Sequence, residues 1–318
     1  MNLHENKRLF KDAVLAASEF LDISPVYIEK DYWITRSLKL LAHNETAGKA
    51  VFKGGSSLSK GYRIGNRFSE DIDIAVSDED IVSGNKLKTL IKKIAKDMTL
   101  GMEEVVFPGV TSKGSRYYKA LYAYPDILGK AFKGTVGKGQ LMVKINSFAN
   151  PRRYVSKEVD CFIREFLRAT GHDDVIGEYG LEPFALNVLD KRQTLIEKLA
   201  ALIRFSFSDN YIYDLAAKIR HFHDLHFLLQ DKECGAYIAS EQFRKDFAAL
   251  LEHDRAIFNK PDGWNSRDIV ESPLLTDFEG VWCSLRETYK REIPAITFSG
   301  VPQENDVAES FKKLLGQI

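Results

Sequence analysis

The sequence predicts a two-domain protein in which an α/β domain, residues 1–165, precedes a helical domain, residues 166–318. Three observations lead to this prediction. Helical spacing, strand-like alternation and glycine turns follow one another up to Phe162, and mainly helical spacing comes after it. The 318 residues correspond to about two domains of ordinary size. Their composition, 44% hydrophobic and 28% charged, is typical of a globular chain and not of a disordered one.

The α/β domain begins with two predicted helices. Apolar residues on one face predict a helix over 5–22, and Ser24-Pro25 starts a second helix that reaches residue 41. An amphipathic stripe predicts a third helix over 86–98. Runs of β-branched and aromatic residues then predict strands at 103–110, 116–124 and 140–148.

The helical domain shows capping and apolar spacing. Asp190 is a candidate N-cap, because its side chain can accept a hydrogen bond from the first turn of the following helix. The segment 260–273 is predicted to be a loop. The predicted helices are 190–205, 214–229, 241–253, 274–289 and 306–315.

The spacing of the cysteines and the length of the apolar runs predict the cellular compartment. The three cysteines lie far apart without a Cys-x-x-Cys pair, which argues against a disulfide framework and a cysteine zinc site. The apolar runs fall far short of the roughly 20 residues that a membrane helix needs. Residues 1–11 are polar and charged, so no signal peptide is predicted. We therefore expect a cytoplasmic protein without a membrane partner.

Charge is distributed unevenly along the chain. The 45 basic and 45 acidic residues balance overall, yet residues 84–157 contain 15 Lys and Arg against four acids. Aromatic residues interleave with these charges, a pattern typical of surfaces that bind single-stranded nucleic acid. A solvated basic face is the alternative, and the glycine- and lysine-rich tract from Gly129 to Gly139 is predicted to be a loop. The candidate RNA contacts are Lys113, Arg116, Lys119, Arg152 and Arg153.

One stretch carries the strongest functional signal. Residues 51–60 have the pattern of a strand, a Gly-Gly turn and a helix start, and residues 67–76 follow as a second strand. Asp71 and Asp73 point to the face opposite the apolar side chains of that strand. Because the two carboxylates repel each other, a magnesium ion shared with phosphate oxygens is their natural partner. The Gly-Gly turn lets the backbone approach a phosphate, and the helix N-terminus supplies N–H donors.

These residues resemble a known family. Gly-Gly-Ser followed by Asp-Ile-Asp is similar to the first motif of polymerase β-like nucleotidyltransferases. The longer string, Lys53-Gly-Gly-Ser-Ser-Leu through Arg67-Phe-Ser-Glu-Asp-Ile-Asp, resembles the AbiEii/AbiGii toxins, which include the MenT-type toxins of type IV toxin–antitoxin systems. The resemblance runs from about Val26 to Tyr289. It implies an N-terminal nucleotidyltransferase domain with a mixed sheet, followed by a helical C-terminal domain.

The resemblance also implies which residues form the site. Asp71 and Asp73 would be the metal ligands. The implied catalytic residues are Asp71, Asp73, Lys198 and Asp224. The implied nucleotide-binding residues are Lys53, Gly54, Gly55, Ser56, Ser57, Lys144, Asn146 and Lys198. The string Glu29-Lys30-Asp31-Tyr32 resembles one on the family's first long helix, although a salt-bridge cluster is the favoured explanation for it.

Two later strings extend the resemblance. Residues 194–199 resemble the third motif, whose essential lysine is Lys198 here. Residues 218–225 resemble the fourth motif, in which His221 replaces the first aspartate and Asp224 keeps the last, essential one. The alternatives are a surface lysine in the third motif and a structural ion pair between Arg220 and Asp224 in the fourth.

The second motif departs from the family. Asn146 shares a strand face with Lys144 and stands where polymerase β-like enzymes usually place a third carboxylate. An amide is a weaker metal ligand and a poorer base than a carboxylate. Either Asp71 and Asp73 hold the metal between them, or another acid such as Asp224 contributes.

The implied activity is transfer of a nucleoside monophosphate from an NTP, with Mg²⁺ or Mn²⁺, to an RNA acceptor such as the 3′ end of tRNA. This would block translation or phage growth, as in abortive infection. Three alternatives remain: a nucleotidyltransferase acting on a small molecule, a kinase of the same fold, and a nucleotide-binding module that has lost catalysis, which Asn146 favours.

A toxin of this family implies a cognate antitoxin encoded by an adjacent gene. Ser69 matches a position that is phosphorylated in certain relatives. A phosphate there would add roughly −1.5 to −2 charge beside two carboxylates and disturb metal and nucleotide binding. A serine that only shapes the start of the strand is the alternative.

Overall fold

The computed structural model describes residues 1–69, 71–76, 84–107, 109–129, 139–148 and 153–318. Most of the predicted Gly129–Gly139 loop and the RNA-contact candidate Arg152 lie outside the described residues. The chain divides into two compact units, the first formed by Met1–Tyr62 and Phe68–Leu189 and the second by Arg63–Arg67 and Asp190–Ile318. In the described part of the chain, no helix has the length and apolar character needed to cross a membrane.

A mixed sheet runs through the first unit, as the resemblance implies. Its order is β3-β5-β6-β2-β1-β8-β7, with β4 paired to β5. β2 is parallel to β6 and β1 is parallel to β8, whereas the other pairs are antiparallel. The strands are β1 (Ala50–Lys53), β2 (Asp71–Val76), β3 (Glu103–Val105), β4 (Ser112–Lys113), β5 (Tyr117–Ala123), β6 (Gln140–Asn146), β7 (Tyr154–Val159) and β8 (Phe184–Leu189).

Strand alternation separates a buried face of this sheet from a half-exposed one. Ile72 and Ile74 of β2 are fully buried beside Val143 and Ile145 of β6. Asp71 and the other polar residues of these strands lie on the opposite, half-exposed face. The helices of this unit are α1 (Lys7–Leu21), α2 (Pro25–Ala42), α3 (Gly54–Tyr62), α4 (Gly84–Met98), α5 (Phe162–Ala169) and α6 (Asp173–Glu178).

A buried ion pair joins α2 to α3. Lys60 Nζ lies 2.6 Å from Asp31 Oδ1, and both side chains are less than a tenth exposed. The second Asp31 oxygen accepts a hydrogen bond from the Phe162 amide at 3.0 Å, and Lys60 also donates to Thr35 Oγ1 at 2.7 Å. The Glu-Lys-Asp-Tyr string therefore contributes a structural cross-link, which agrees with the favoured explanation.

The second unit is helical apart from the isolated bridge between Arg67 and Thr297. Asp190 caps α7 as predicted, accepting a hydrogen bond from the Arg192 amide at 2.8 Å. Helix α9 packs against α7, α10, α13 and α14. The helices are α7 (Lys191–Phe205), α8 (Tyr211–Ala216), α9 (Ile219–Gln230), α10 (Lys232–Ile238), α11 (Glu241–Ile257), α12 (Pro273–Thr276), α13 (Phe278–Glu292) and α14 (Glu304–Leu315).

Several predicted elements differ from the structure. Strand β8 lies in the region predicted to be the helical domain, so the sheet extends the first unit to Leu189. β8 gains its stability from pairing with β1 and β7, which are distant in sequence, and a six-residue segment gives little local signal. The helix predicted over 214–229 is two helices, α8 and α9, and the strand predicted over 103–110 ends at Val105.

Candidate active site

The Gly-Gly turn stands directly against one of the two acids. Strand β1 ends at Lys53 and helix α3 begins at Gly54, which has φ +79°. A Cβ atom on Gly54 would lie 2.7 Å from Asp73 Oδ2, closer than real side chains approach. Residue 54 must therefore be glycine both for its backbone conformation and for the space that the carboxylate occupies.

The two serines after the turn fix the backbone around it. Ser56 is buried and donates a hydrogen bond to the Asp71 carbonyl oxygen. Ser57 is also buried and donates to the Gly54 carbonyl at 2.8 Å. The Ser56 hydroxyl therefore links α3 to β2, and the Ser57 hydroxyl bonds within the first turn of α3. The amide groups at the start of α3 are the feature suited to bind phosphate.

The acids lie within a row of lysines across the half-exposed face of the sheet. Asp73 of β2 is paired in register with Lys53 of β1 on one side and with Lys144 of β6 on the other. Lys144 is in turn opposite Lys119 of β5. Because residues in register share a face, three lysines and an aspartate stand side by side on four adjacent strands. We call Lys53, Asp73, Lys144 and Lys119 the lysine row.

Lys144 interacts with both acids. Its ammonium group forms an ion pair with Asp71 Oδ2. Burial works against its positive charge, but Asp73 and Asp71 outweigh that effect and raise the pKa of Lys144 above its ordinary value. Lys144 therefore stays protonated and reduces the repulsion between the two carboxylates.

Asn146 is on the same face of β6, opposite Ala75 of β2 and Tyr117 of β5. Among the described residues, no three His, Cys, Asp or Glu side chains form a cluster that could hold a metal ion. The protein ligands offered at this site are thus Asp71 and Asp73, two half-exposed carboxylates on one strand face. Such oxygen ligands suit Mg²⁺, which fills its remaining positions with water and phosphate oxygens.

Lys198 and Asp224 meet inside the second unit. Lys198 Nζ on α7 lies 2.8 Å from Asp224 Oδ2 on α9, and both side chains are buried. Arg67 completes the group, since its guanidinium holds both Asp224 oxygens at 2.6 Å. Burial alone would raise the pKa of Asp224, but Arg67 and Lys198 reverse this effect and hold it well below its usual range.

Arg67 was not among the residues predicted to form the site. It belongs to the first-motif string, but nothing local pointed to a partner 157 residues away. The alternative pair, Arg220 with Asp224, is replaced by Arg67 and Lys198 as the basic partners that the structure places on this carboxylate.

The candidate RNA contacts differ in their surroundings. Lys113 is exposed and forms an ion pair with Glu104 at 2.6 Å, and Arg116 is exposed with its Nε 3.3 Å from Ser147 Oγ. Lys119 is half-buried in the lysine row, and Arg153 lies immediately before β7. Ser69 is half-buried two residues before Asp71, and its phosphorylation stays a prediction.

Comparisons with known proteins bear on the family and the fold. The sequence model of a family described as "Nucleotidyl transferase AbiEii toxin, Type IV TA system" matches residues 36–315. Among solved structures, the chain is similar to MenT4, a nucleotidyltransferase toxin from Mycobacterium tuberculosis H37Rv, with a TM-score of 0.58 and 19% sequence identity. That match covers 96% of this chain and 90% of the other. No curated protein sequence matches.

Proposed function

Since the chain belongs to the AbiEii nucleotidyltransferase toxin family of type IV toxin–antitoxin systems, we propose that it transfers a nucleoside monophosphate from an NTP to the 3′ end of an RNA. Membership makes the protein a nucleotidyltransferase with an NTP substrate and a cognate antitoxin. The proposal adds the acceptor, which we take to be tRNA, and the metal, which we take to be Mg²⁺ or Mn²⁺.

The placement of Asp73 against Gly54, with Asp71 on the same strand face, carries the proposal. The two acids share one strand face, and the start of α3 lies directly behind the Asp73 carboxylate. Carboxylates beside a helix N-terminus can bind a metal–triphosphate complex, because the acids hold the cation while N–H groups meet the phosphates. When bound, the divalent ion would neutralise triphosphate charge and orient the α-phosphate.

Different residues of the chain would bind the cation, bind the phosphates and neutralise the substrate's charge. Asp71 and Asp73 would hold the cation, and the amides of Gly54, Gly55 and Ser56 would bind the outer phosphates. Lysines of the lysine row would offset the negative charge of the substrate. The acceptor hydroxyl oxygen attacks the α-phosphorus and releases its proton to solvent, while the bond to pyrophosphate breaks and pyrophosphate leaves.

An RNA acceptor is supported by the surface beside the lysine row. Tyr117 is adjacent to the row on β5 and stacks against Phe148, with ring centroids 6.4 Å apart. Lys113 and Arg116 are exposed at the end of the same region. Aromatic rings beside basic side chains favour unstacked, single-stranded ends over duplexes.

The test is incubation with each α-labelled NTP and total tRNA in Mg²⁺ or Mn²⁺, followed by separation of the RNA. Label in RNA is expected with at least one nucleotide. Charge reversal by Lys113→Glu with Arg116→Glu should lower transfer to RNA by about ten- to a hundredfold, because phosphate contacts are lost. Lys119 stays unchanged in this variant, because it belongs to the lysine row.

The control for this variant is Lys86→Glu with Lys96→Glu, which makes the same change in net charge at exposed positions of α4. It should retain transfer to RNA. Equal losses in both variants would mean that net charge and not this surface matters. Label only in a small acceptor, or only from γ-labelled NTP, would replace the RNA proposal by one of the alternatives.

Lys144 provides a second prediction, because it is ion-paired with Asp71 and would lie beside a nucleotide bound through that acid. Lys144→Met should raise the KM for NTP by about ten- to a hundredfold, as expected for the loss of roughly 1.4–3 kcal/mol of charge-assisted binding. In the nucleotide-free protein, the same change should increase Mn²⁺ affinity, because Asp71 loses a competing cation. Steady-state kinetics and Mn²⁺ titration measure the two effects.

Lys119→Met is the matched control, since Lys119 is the neighbour of Lys144 in register but lies on β5, one strand farther from β2 and its two acids. A smaller effect on KM and no gain in Mn²⁺ affinity are expected from it. If the two variants behave alike, the ion pair between Lys144 and Asp71 has no special role.

A further inference from the structure

Five residues connect the two halves of the first motif, and they pack with the second unit. Helix α3 ends at Tyr62 and Phe68 precedes β2, both within the first unit. The intervening segment, Arg63–Arg67, is part of the second unit. We call it the motif linker. Its last residue is four positions before Asp71, so whatever fixes the motif linker also limits where that acid can be.

The end of the motif linker is held by a two-point ion pair. Arg67 Nε donates to Asp224 Oδ1 and Arg67 Nη2 donates to Asp224 Oδ2, each at 2.6 Å. The side chains of Arg67 and Asp224 are 5% and 2% exposed. A buried bidentate pair of this kind fixes orientation as well as distance, because two parallel hydrogen bonds permit little rotation.

Further contacts hold the middle of the motif linker. His223, the residue before Asp224 on α9, donates from Nε2 to the Gly65 carbonyl at 2.8 Å. The Asn66 carbonyl accepts a hydrogen bond from the Phe298 amide at 3.1 Å. Gly65 and Asn66 both have positive φ, so the segment turns sharply while it is held. His223 and Asp224, which are adjacent on α9, thus bind Gly65 and Arg67 of the motif linker.

These contacts also restrict what Asp224 can do chemically. Both of its oxygens are occupied, one by Arg67 and the other by Arg67 and Lys198 together. A carboxylate that is buried between two cations has no exposed oxygen for a metal ion. Its pKa, held low by Arg67 and Lys198 against the effect of burial, also makes it a poor proton acceptor.

We propose that Asp224 is a positioning residue, which through Arg67 fixes the motif linker and thereby the placement of Asp71, without touching metal or substrate. This rests on the proposed function only in taking Asp71 as a metal ligand. In this proposal a carboxylate is needed at position 224 because it binds Arg67 within the second unit. It also gives Arg67 a role that a lysine could not fully supply, since a lysine cannot span both oxygens.

The test combines hydrogen exchange with kinetics on the full-length protein. Asp224→Asn and Arg67→Met should each increase amide exchange in 63–67 and in the following residues 71–76. Each should lower kcat by about tenfold to a hundredfold, because small displacements of a catalytic group have effects of that order. The KM for NTP should change less than about threefold in Arg67→Met, and the double variant should be no worse than the more affected single one.

Two further variants separate this role from others. Asp254→Asn breaks another ion pair of the second unit, Arg204 with Asp254 at 3.6 Å, and should leave exchange in 63–67 unchanged. Lys198→Met removes the other partner of Asp224 but retains Arg67, so exchange in 63–67 should stay close to that of the unmodified protein. If Asp224→Asn does not fold, Arg67→Lys offers a milder change, for which an intermediate increase in exchange is expected.

The proposal is overturned if Asp224→Asn abolishes activity while exchange in 63–67 is unchanged, or if the Asp224 and Arg67 losses multiply in the double variant. Either result would make Asp224 act directly. The exchange measurement needs no turnover, so it remains decisive even if the unmodified protein transfers no nucleotide to RNA. Failure of the proposed function and failure of this inference are therefore separate outcomes.

Discussion

Asp71→Asn and Asp73→Asn are each expected to lower nucleotidyl transfer at least about a thousandfold, equivalent to roughly 4 kcal/mol of transition-state stabilisation. The reason is that these two acids are the carboxylates that β2 presents on its half-exposed face beside Gly54, and no cluster of three exists among the described residues to compensate. An amide retains the shape of the side chain but loses the charge that binds the cation. Transfer of α-label under saturating NTP measures the effect.

Loss of folding cannot explain this result. Removing one of two neighbouring like charges relieves repulsion, which offsets the loss of the partly exposed ion pair with Lys144 in Asp71→Asn. Thermal unfolding of either variant should therefore stay within a few degrees of the unmodified protein. Asp97→Asn, on α4 and ion-paired to Lys93, is the matched control and should keep full activity. Transfer that survives in both Asp71→Asn and Asp73→Asn would remove the basis of the proposed catalytic site.

Lys60→Met is expected to lower the free energy of unfolding by about 3–5 kcal/mol, the usual result of removing one partner from a buried ion pair. Asp31 would be left buried with its partner gone, although the Phe162 amide still donates to it. Asp31→Asn together with Lys60→Met should regain most of this loss, because no buried charge then remains and the amide oxygen can still accept from Phe162. Urea unfolding of the two variants measures the contrast.

The stability of Lys60→Met should depend on pH, because the buried Asp31 carboxyl group loses its ion-pair partner. Burial raises the pKa of Asp31 above 3.8 even though Lys60 opposes the shift, so removal of Lys60 raises it further. A folded-state pKa above the unfolded value favours folding in acid, and this contribution is lost as pH rises through the folded-state pKa. The stability deficit of Lys60→Met should therefore grow from about pH 4 upward. A deficit that stays constant with pH would show that the lost charge is not the cause.

Helices with long apolar stripes were predictable because their signal is local. Residues 86–98 and 241–253 each lie within a helix of the structure, and Asp190 caps α7 through a neighbouring amide. Strand β8 was missed because six residues give a weak pattern and its partners are remote. The division between α8 and α9 depends on how those helices pack, which the apolar spacing does not describe.

In the candidate site, too, the local features were predictable and the long-range contacts were not. The Gly-Gly turn and the alternation of Asp71 and Asp73 are confirmed as local structure, because a turn and a strand face are properties of adjacent residues. The contact of Lys144 with Asp71 spans 73 residues, and that of Arg67 with Asp224 spans 157. The sequence indicated that these charges were available, but not which of them would be neighbours.

The amino-acid order alone determined the family, the mixed α/β character of the first part and the two acids on one strand. These follow from hydrogen bonding and side-chain direction over a few residues, which neighbouring side chains encode. Only the tertiary structure decided that Lys144 accompanies Asp71, that Gly54 stands against Asp73, and that Arg67 and Lys198 share Asp224. Such pairings depend on the path of the whole chain, because the interaction of two charges is set by their separation in space and their burial.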